Sequence, residues 1–188
     1  TIVTGNVVFQ ESISNKKFRK YVLYATTFKE FNVMQFFGVE TYYEFLSNLD
    51  ALTKISELTG FVIIVKLHPA AYSYLVRLKK LYPTLRFSCA SLGKLLRECF
   101  VTISYSSTVI EDSLYSSVPV VLYDPWNRYQ HCQATFSYVD HKVLFYINDE
   151  ENLHDLICRL YRAKDLCFID HLFEGSSKSN IQKIFNLT

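Results

Sequence analysis

A histidine and a run of hydroxyl side chains are the residues whose types and spacing best suit chemistry. His68 stands before Pro69 and directly after the apolar run 61–65, while the hydroxyls follow another short apolar run. The hydroxyl residues are Ser106, Ser107 and Thr108. An imidazole can donate a hydrogen bond to a phosphate oxygen or to a leaving group as charge develops. Hydroxyls at the start of a helix, beside its unpaired amides, suit the same kind of anion.

Both segments also have a purely structural interpretation. His68 could be partly buried, with its ring bonded to a backbone carbonyl. Serine is among the best residues for capping a helix, and capping alone would explain Ser106 and Ser107. The residue types leave both interpretations open.

Further polar residues follow other predicted strands. Asp124 and Arg128 come after the run 118–123, where an arginine could neutralise a phosphate. They are candidates for lining a cleft, and the alternative is a polar loop stiffened by Pro125. Glu111 lies one turn beyond the serines and is a candidate for contact with a ribose hydroxyl.

The segment 27–40 is long for a connection between a strand and a helix. It carries four phenylalanines, namely Phe28, Phe31, Phe36 and Phe37, with Gly38 as a potential hinge. The segment could form one wall of a cleft or a lid. Equally, its rings could pack on the core or on a missing lobe.

Elements that would position these residues alternate along the chain between strands and helices. Short apolar runs predict strands at 21–26, 61–65, 86–89, 100–104, 118–123 and 143–147. Helical spacing and caps predict helices from Thr41 to Gly60, over 71–81, from Ser91, over 106–116, from Asp149 and over 177–187. Such alternation predicts an α/β fold with a doubly wound parallel sheet. In that fold, ligands bind beyond the carboxyl ends of the strands.

Composition narrows the class of protein. The chain has 188 residues, of which 49% are apolar and 20% charged, and its formal net charge is +2. These values exclude a disordered chain and argue against a dedicated nucleic-acid binder. Five cysteines without a C-x-x-C pair indicate that most of them are small buried thiols in a reducing, cytoplasmic compartment. No metal site is expected, because His131 and Cys132 are adjacent and cannot share a tetrahedral site with other spaced ligands.

The division of the chain follows from charge and periodicity. Residues 1–20 form a basic segment or linker that could face an anionic lipid, and 21–175 form a single Rossmann-like domain. Residues 176–188 form a C-terminal helix. The chain begins at Thr1 without an initiator Met, which leaves open that it is a piece of a longer protein.

Three short motifs together resemble the carboxyl-terminal half of GT-B fold transferases that build bacterial surface polymers. The motifs are Lys66-x-His68-Pro69, Ser106-Ser107 and Pro119-Val-Val-Leu-Tyr-Asp124. Two groups share the arrangement: the CDP-glycerol glycerophosphotransferases and the bacterial sialyltransferases with HP and SS motifs. Residues 23–27 are similar to the segment that opens this lobe in the first group, although that group commonly continues Thr-Trp-Arg where Thr27 here precedes Phe28 and Lys29.

The resemblance implies a role for each matching residue. His68, Ser106 and Ser107, with Thr108 beside them, would contact the phosphate of a CMP- or CDP-activated donor, and His68 would help the phosphate leave. Glu111 and Pro69 are candidates for ribose or base contact, and Thr26 and Thr27 for lining the cleft. No cofactor or metal is implied.

The expected partners follow from the same resemblance. They are a nucleotide-activated donor, a glycan or polyol-phosphate acceptor, a missing amino-terminal lobe with the general base, and the inner face of the membrane. Two rivals remain: a lobe of a UDP-sugar epimerase or UDP-sugar transferase, and a non-catalytic α/β scaffold.

Overall fold

The computed structural model of the chain describes residues 20–29, 38–116, 118–128 and 144–162. The predicted basic segment, apart from Lys20, and the predicted helix 177–187 lie outside these ranges. So do the strand residue Val143 and the three phenylalanines within 30–37.

The described residues form six strands, five α-helices and one 3-10 helix. The strands are β1 (Tyr21–Ala25), β2 (Val62–Lys66), β3 (Arg86–Ser88), β4 (Cys99–Ser104), β5 (Val120–Tyr123) and β6 (Leu144–Ile147). The helices are α1 (Tyr42–Thr59), α2 (Leu75–Leu81), α3 (Leu92–Leu96), α4 (Val109–Tyr115) and α5 (Glu150–Arg162), and the 3-10 helix spans Pro69–Tyr74. Every predicted strand and helix within the described ranges is present.

The six strands form one parallel sheet in the order β3-β2-β1-β4-β5-β6. Ala25, at the end of β1, pairs with Lys66 of β2 on one side and with Ser104 of β4 on the other. The chain therefore leaves β1 toward one edge of the sheet and returns to its other side at β4. This is the Rossmann-like doubly wound order, with its switch point between β1 and β4, and it confirms the predicted fold class.

Helix α1 begins and ends where its sequence predicts. The side chain of Thr41 accepts from the backbone of Glu44, and the carboxylate of Glu44 accepts from the amide of Thr41, which completes a capping box. Gly60 closes the helix in the left-handed conformation with φ 72°, and its N–H bonds to the carbonyl of Ser56.

Two layers of helices cover the sheet. On one face, α1, α2 and α5 pack on β1, β2 and β4 around side chains such as Phe45, Leu52, Leu78 and Leu156. On the other face, α3 contributes Leu95 and Leu96 to a smaller cluster with Leu23. Burial on both faces accounts for the nearly continuous apolar character of β1 and β4.

Three predicted boundaries differ from the structure by two or more residues. The helix predicted over 71–81 is a 3-10 helix from Pro69 followed by α2, because Pro69 occupies the first helical position and His68 caps it. The helix predicted from Ser106 begins only at Val109. The strand predicted from Val118 begins at Val120.

Within the described part of the chain, no helix combines the length and the apolar character needed to cross a bilayer.

Candidate functional site

The carboxyl ends of β2, β1 and β4 lie side by side at one edge of the sheet. The loop with His68 follows β2 and the loop with Ser106 follows β4, so the two loops flank the end of β1. Two strand spacings separate β2 from β4, a distance of about 10 Å. Both motifs identified in the sequence thus lie at the edge where doubly wound folds bind their ligands.

The ring of His68 has a defined tautomer. His68 is the extended residue before the 3-10 helix, with φ −63° and ψ 143°, and its Nδ1 accepts the N–H of Ala70 at 3.1 Å. Since Nδ1 is an acceptor, the proton of the neutral ring lies on Nε2. His68 is half-buried. Its remaining polar atom is a hydrogen-bond donor, as contact with an anion requires.

Electrostatics around His68 favour the neutral ring. Burial lowers the pKa of His68 below its ordinary 6.5, and the positive charges of Lys29 and Lys66 lower it further. The same two lysines give this end of β2 a positive environment. A neutral imidazole donor among fixed positive charges suits a phosphate oxygen.

The hydroxyl loop after β4 is a turn rather than the first turn of a helix. Thr108 precedes α4 with helical angles and makes no capping bond, while Ser107 Oγ accepts the N–H of Val109 at 3.3 Å. Helix α4 is only seven residues long and starts at Val109 rather than at Ser106. Its dipole therefore contributes less to the potential at this loop than the sequence predicted. Ser106 and Ser107 are half-buried and Thr108 is exposed.

A bond between strands fixes the base of this loop. Ser104, the last residue of β4, donates its hydroxyl to the carbonyl of Ala25 at 3.0 Å. This bond ties the end of β4 to the end of β1 directly below the two loops. The loops after β1 and β4 therefore start from one rigid unit.

The candidates for ribose or base contact are accessible. Glu111, in the first turn of α4, and Pro69 are both exposed. The neighbouring Asp112 is half-buried, and burial together with the charge of Glu111 raises its pKa. Glu111 thus carries its carboxylate on the solvent side of α4.

Thr26 and Thr27, expected to line the cleft, are buried and bond to a carboxylate that sequence reasoning missed. Glu40 is only 3% exposed. Its Oε2 accepts from the hydroxyl of Thr26 at 2.9 Å, from the amide of Thr27 at 2.7 Å and from the hydroxyl of Thr27 at 3.1 Å. The two threonines therefore hold Glu40 at the end of β1.

The other carboxylate oxygen of Glu40 accepts hydrogen bonds from buried side chains of the core. Glu40 Oε1 accepts from the hydroxyl of Tyr24 and, at 2.8 Å, from the side-chain amide of Asn48 on α1. The hydroxyl of Tyr24 in a fully buried strand was the signal in the sequence, because a buried hydroxyl needs a partner. Burial, followed by the adjacent Glu40 carboxylate, raises the pKa of Tyr24 well above its ordinary value.

The position of Phe28 shows, for one of the four phenylalanines of segment 27–40, whether the ring lines a cleft or packs on the core. It is 2% exposed and stacks on Phe45 of α1 with ring centroids 4.7 Å apart. It also meets Tyr42 and Tyr74 at 5.7 and 5.6 Å. This ring therefore packs on the core, next to the helix that His68 begins.

Arg128 is bonded to the loop after β1. Its Nε forms an ion pair with Glu44 at 2.7 Å, and its Nη2 donates to the carbonyl of Val39 at 2.7 Å. The guanidinium also lies 5.7 Å from the ring centroid of Tyr105. Arg128 thus joins the loops after β1, β4 and β5 at the candidate site.

Asp124 is a buried carboxylate, 1% exposed, at the end of β5. Its Oδ1 accepts the amide of Trp126 at 3.2 Å and its Oδ2 accepts the hydroxyl of Tyr146 at 3.4 Å. The backbone of Asp124 extends the pairing with β6 through a bond to Ile147 at 3.0 Å. These bonds shape the turn that presents Trp126 and Arg128 at the carboxyl edge.

Among the described residues, no three histidine, cysteine or acidic side chains cluster as a metal site would require. His131 and Cys132 lie outside the described ranges.

Comparison with known proteins identifies the architecture. No protein-family model and no curated protein matches the chain. The UDP-GlcNAc 2-epimerase of Methanocaldococcus jannaschii, in complex with UDP-GlcNAc and UDP, superposes with a TM-score of 0.57 at 14% identity, over 91% of this chain and 46% of that one. The wall teichoic acid polymerase TagF superposes with a TM-score of 0.55 at 15% identity, over 90% of this chain and 43% of that one. The likeness is one of fold.

The covered lengths add a second fact. This chain spans less than half of each of these two proteins. Its six-stranded sheet accordingly corresponds to one part of each larger structure.

Proposed function

We propose that the chain is the donor-binding lobe of a GT-B type transferase that uses a CMP- or CDP-activated donor. The observation that carries the proposal is the tautomer of His68, whose Nδ1 is bonded to Ala70 and whose Nε2–H remains as a donor at the carboxyl end of β2, one strand away from the switch point of the sheet. The fold shared with TagF, a wall teichoic acid polymerase, supports it.

In this proposal, the imidazole and the hydroxyls divide the work on the donor. Ser106 and Ser107 bind the phosphate groups, and the Nε2–H of His68 donates to the oxygen on which negative charge grows as the donor bond breaks. A hydrogen-bond donor that is already oriented toward that oxygen stabilises the transition state more than the bound ground state. Glu111 contacts the ribose from the solvent side of α4.

A second lobe completes the enzyme in this proposal. It supplies the general base and the site for a glycan or polyol-phosphate acceptor, as in the synthesis of a capsule or another surface polysaccharide at the inner face of the membrane. The chain's coverage of less than half of the epimerase and of TagF fits this division of labour.

A UDP-linked donor is the second candidate. The archaeal epimerase that superposes on the chain is bound to UDP-GlcNAc and UDP, and it has the higher of the two TM-scores given above. On that alternative the same edge of the sheet holds a uridine nucleotide.

Titration with CMP, CDP and UDP tests the proposal. Tighter binding of CMP or CDP than of UDP is the expected result, and the reverse order would replace the donor by a UDP-sugar. Ser106→Ala and Ser107→Ala should each weaken binding about tenfold or more, since a hydrogen bond to a charged group contributes about 1.5–3 kcal/mol. Ser73→Ala, an exposed serine of the 3-10 helix, is the control. Absence of binding to all three nucleotides would favour the scaffold.

A further inference from the structure

The β3 edge of the fold has a distinctive charge. Between residues 58 and 97 the sequence contains no aspartate or glutamate. The same stretch contains seven basic residues, namely Lys66, Arg77, Lys79, Lys80, Arg86, Lys94 and Arg97. Because the whole chain carries a net charge of only +2, the rest of it is acidic on balance.

Six of these residues are exposed, all but Lys66, and we call the four on α2 and β3 the basic edge, namely Arg77, Lys79, Lys80 and Arg86. None of the six forms an ion pair with a residue in the described ranges. Other basic side chains do, since Lys54 pairs with Glu150 and Arg128 with Glu44. The positive charge of the basic edge is therefore not neutralised by the described part of the protein.

The fold places the basic edge on one side of the molecule. Strand β3 is the outermost strand of the sheet, and Arg86 lies on it. Helix α2 carries three of the residues on one face of the sheet, where Leu78 enters the main core. Helix α3 carries Lys94 on the opposite face, where Leu95 enters the smaller core. The basic edge therefore follows the outermost strand and the helix packed beside it, whereas Lys94 of α3 and Arg97 at its C-cap lie over β1 and β4 and are not part of it.

Apolar side chains are exposed among these charges. Val76 is 74% exposed, Leu81 57% and Tyr72 36%, and the only buried residue of α2 is Leu78. Val76 and Lys80 lie one turn apart on the outer side of α2. The carboxylate of Asp50 on α1 interacts with the hydroxyl of Tyr82 at the end of this helix.

We propose that the basic edge is a docking surface for an anionic lipid membrane. Basic residues near a negatively charged bilayer gain electrostatic energy, while apolar side chains beside them enter the boundary between headgroups and acyl chains. A soluble polyanion would use the charges but would leave Val76 and Leu81 in water. Combined charge and exposed apolar surface therefore favour lipid.

Sedimentation with vesicles tests this surface. The full chain should bind vesicles of phosphatidylcholine with added phosphatidylglycerol, should not bind phosphatidylcholine alone, and should be released by high salt. The triple variant Arg77→Gln/Lys79→Gln/Lys80→Gln should bind about a hundredfold more weakly, at roughly fivefold per charge. Val76→Ser/Leu81→Ser should weaken binding at low salt as well.

A variant with the same change of charge elsewhere is the control. Lys54→Gln/Arg159→Gln/Arg162→Gln removes three exposed charges from α1 and α5 and should keep its vesicle binding. Equal loss in both triple variants, or no binding to anionic vesicles, would overturn the proposal. Binding to heparin without binding to vesicles would identify a soluble polyanion instead. Nucleotide affinity should be unchanged in the variants, so this test is independent of the proposed donor site.

Discussion

Thr27 and Glu40 bond to each other through both backbone amides. The amide of Thr27 donates to Glu40 Oε2 at 2.7 Å, and the amide of Glu40 donates to the hydroxyl of Thr27 at 3.0 Å. The reciprocal pair joins the second residue after β1 to the residue before the capping box of α1. It fixes the two ends of the connection at the switch point of the sheet.

Replacing Glu40 should destabilise the protein strongly. Glu40→Ala leaves the amide of Thr27 and the hydroxyl of Tyr24 buried without their acceptor, at a cost of about 3 kcal/mol in the free energy of unfolding. Urea denaturation measures this loss. Glu57→Ala, an exposed position of α1, should change stability by less than about 0.5 kcal/mol. Equal effects of the two substitutions would contradict the role of Glu40.

Two glycines should respond to alanine with opposite signs. A Cβ added at Gly60 or at Gly93 meets no atom within 4 Å, so space does not distinguish them. Gly60 has φ 72°, which disfavours alanine, and Gly60→Ala should lower stability by about 1 kcal/mol. Gly93 lies within helix α3, and Gly93→Ala should raise stability by up to about 1 kcal/mol. Thermal unfolding of both variants gives the comparison, and a loss at Gly93 would contradict it.

The ion pair of Arg128 and Glu44 should be stronger than the exposed pair of Lys54 and Glu150. The side chain of Glu44 is 8% exposed and that of Arg128 38%, against 41% and 62% for Glu150 and Lys54. Double-mutant cycles with alanine should give a coupling energy of about 1–2 kcal/mol for the first pair and below about 0.5 for the second. Equal coupling energies would show that Arg128 does not clamp the loops.

Stability should depend on pH through His68. Burial and the charges of Lys29 and Lys66 lower the pKa of His68 in the folded chain, whereas the unfolded chain keeps about 6.5. As the pH falls through that value, the unfolded state takes up a proton that the folded state does not, so the free energy of unfolding decreases.

His68→Gln removes this contribution. Urea unfolding at about pH 7.5 and about pH 5.5 should show a smaller loss of stability in the variant than in the wild type. An identical loss of stability in the variant and the wild type would mean that folding does not disfavour the protonated ring of His68.

The helices and strands could be predicted because the sequence signals that specify them are local. The capping box of Thr41 and Glu44, Gly60 at the helix end and the apolar runs of β1 and β4 each act within a few residues of chain. The positions of His68 and Ser106 followed from the same signals, because a doubly wound sheet brings the carboxyl ends of its strands together.

Side-chain partners across elements were not predictable in this way. Glu40 is held by donors from β1 and α1, and Arg128 pairs with a residue far earlier in the chain. The spacing of apolar residues along the chain does not indicate which polar side chains from distant elements pair. The start of α4 was also predicted wrongly. Serine is a good helix cap, but Ser107 instead accepts a bond from Val109 within the turn that precedes α4.

The central claim is that the Nε2–H of His68 donates to the phosphate of a nucleotide donor. Titration calorimetry with CDP and with cytidine, on the wild type and on His68→Ala, measures it most directly because only CDP carries phosphate. A hydrogen bond to a charged group contributes about 1.5–3 kcal/mol, so the variant should bind CDP at least tenfold more weakly and cytidine equally well. Unchanged affinity for CDP, or the same loss for both ligands, would contradict the claim.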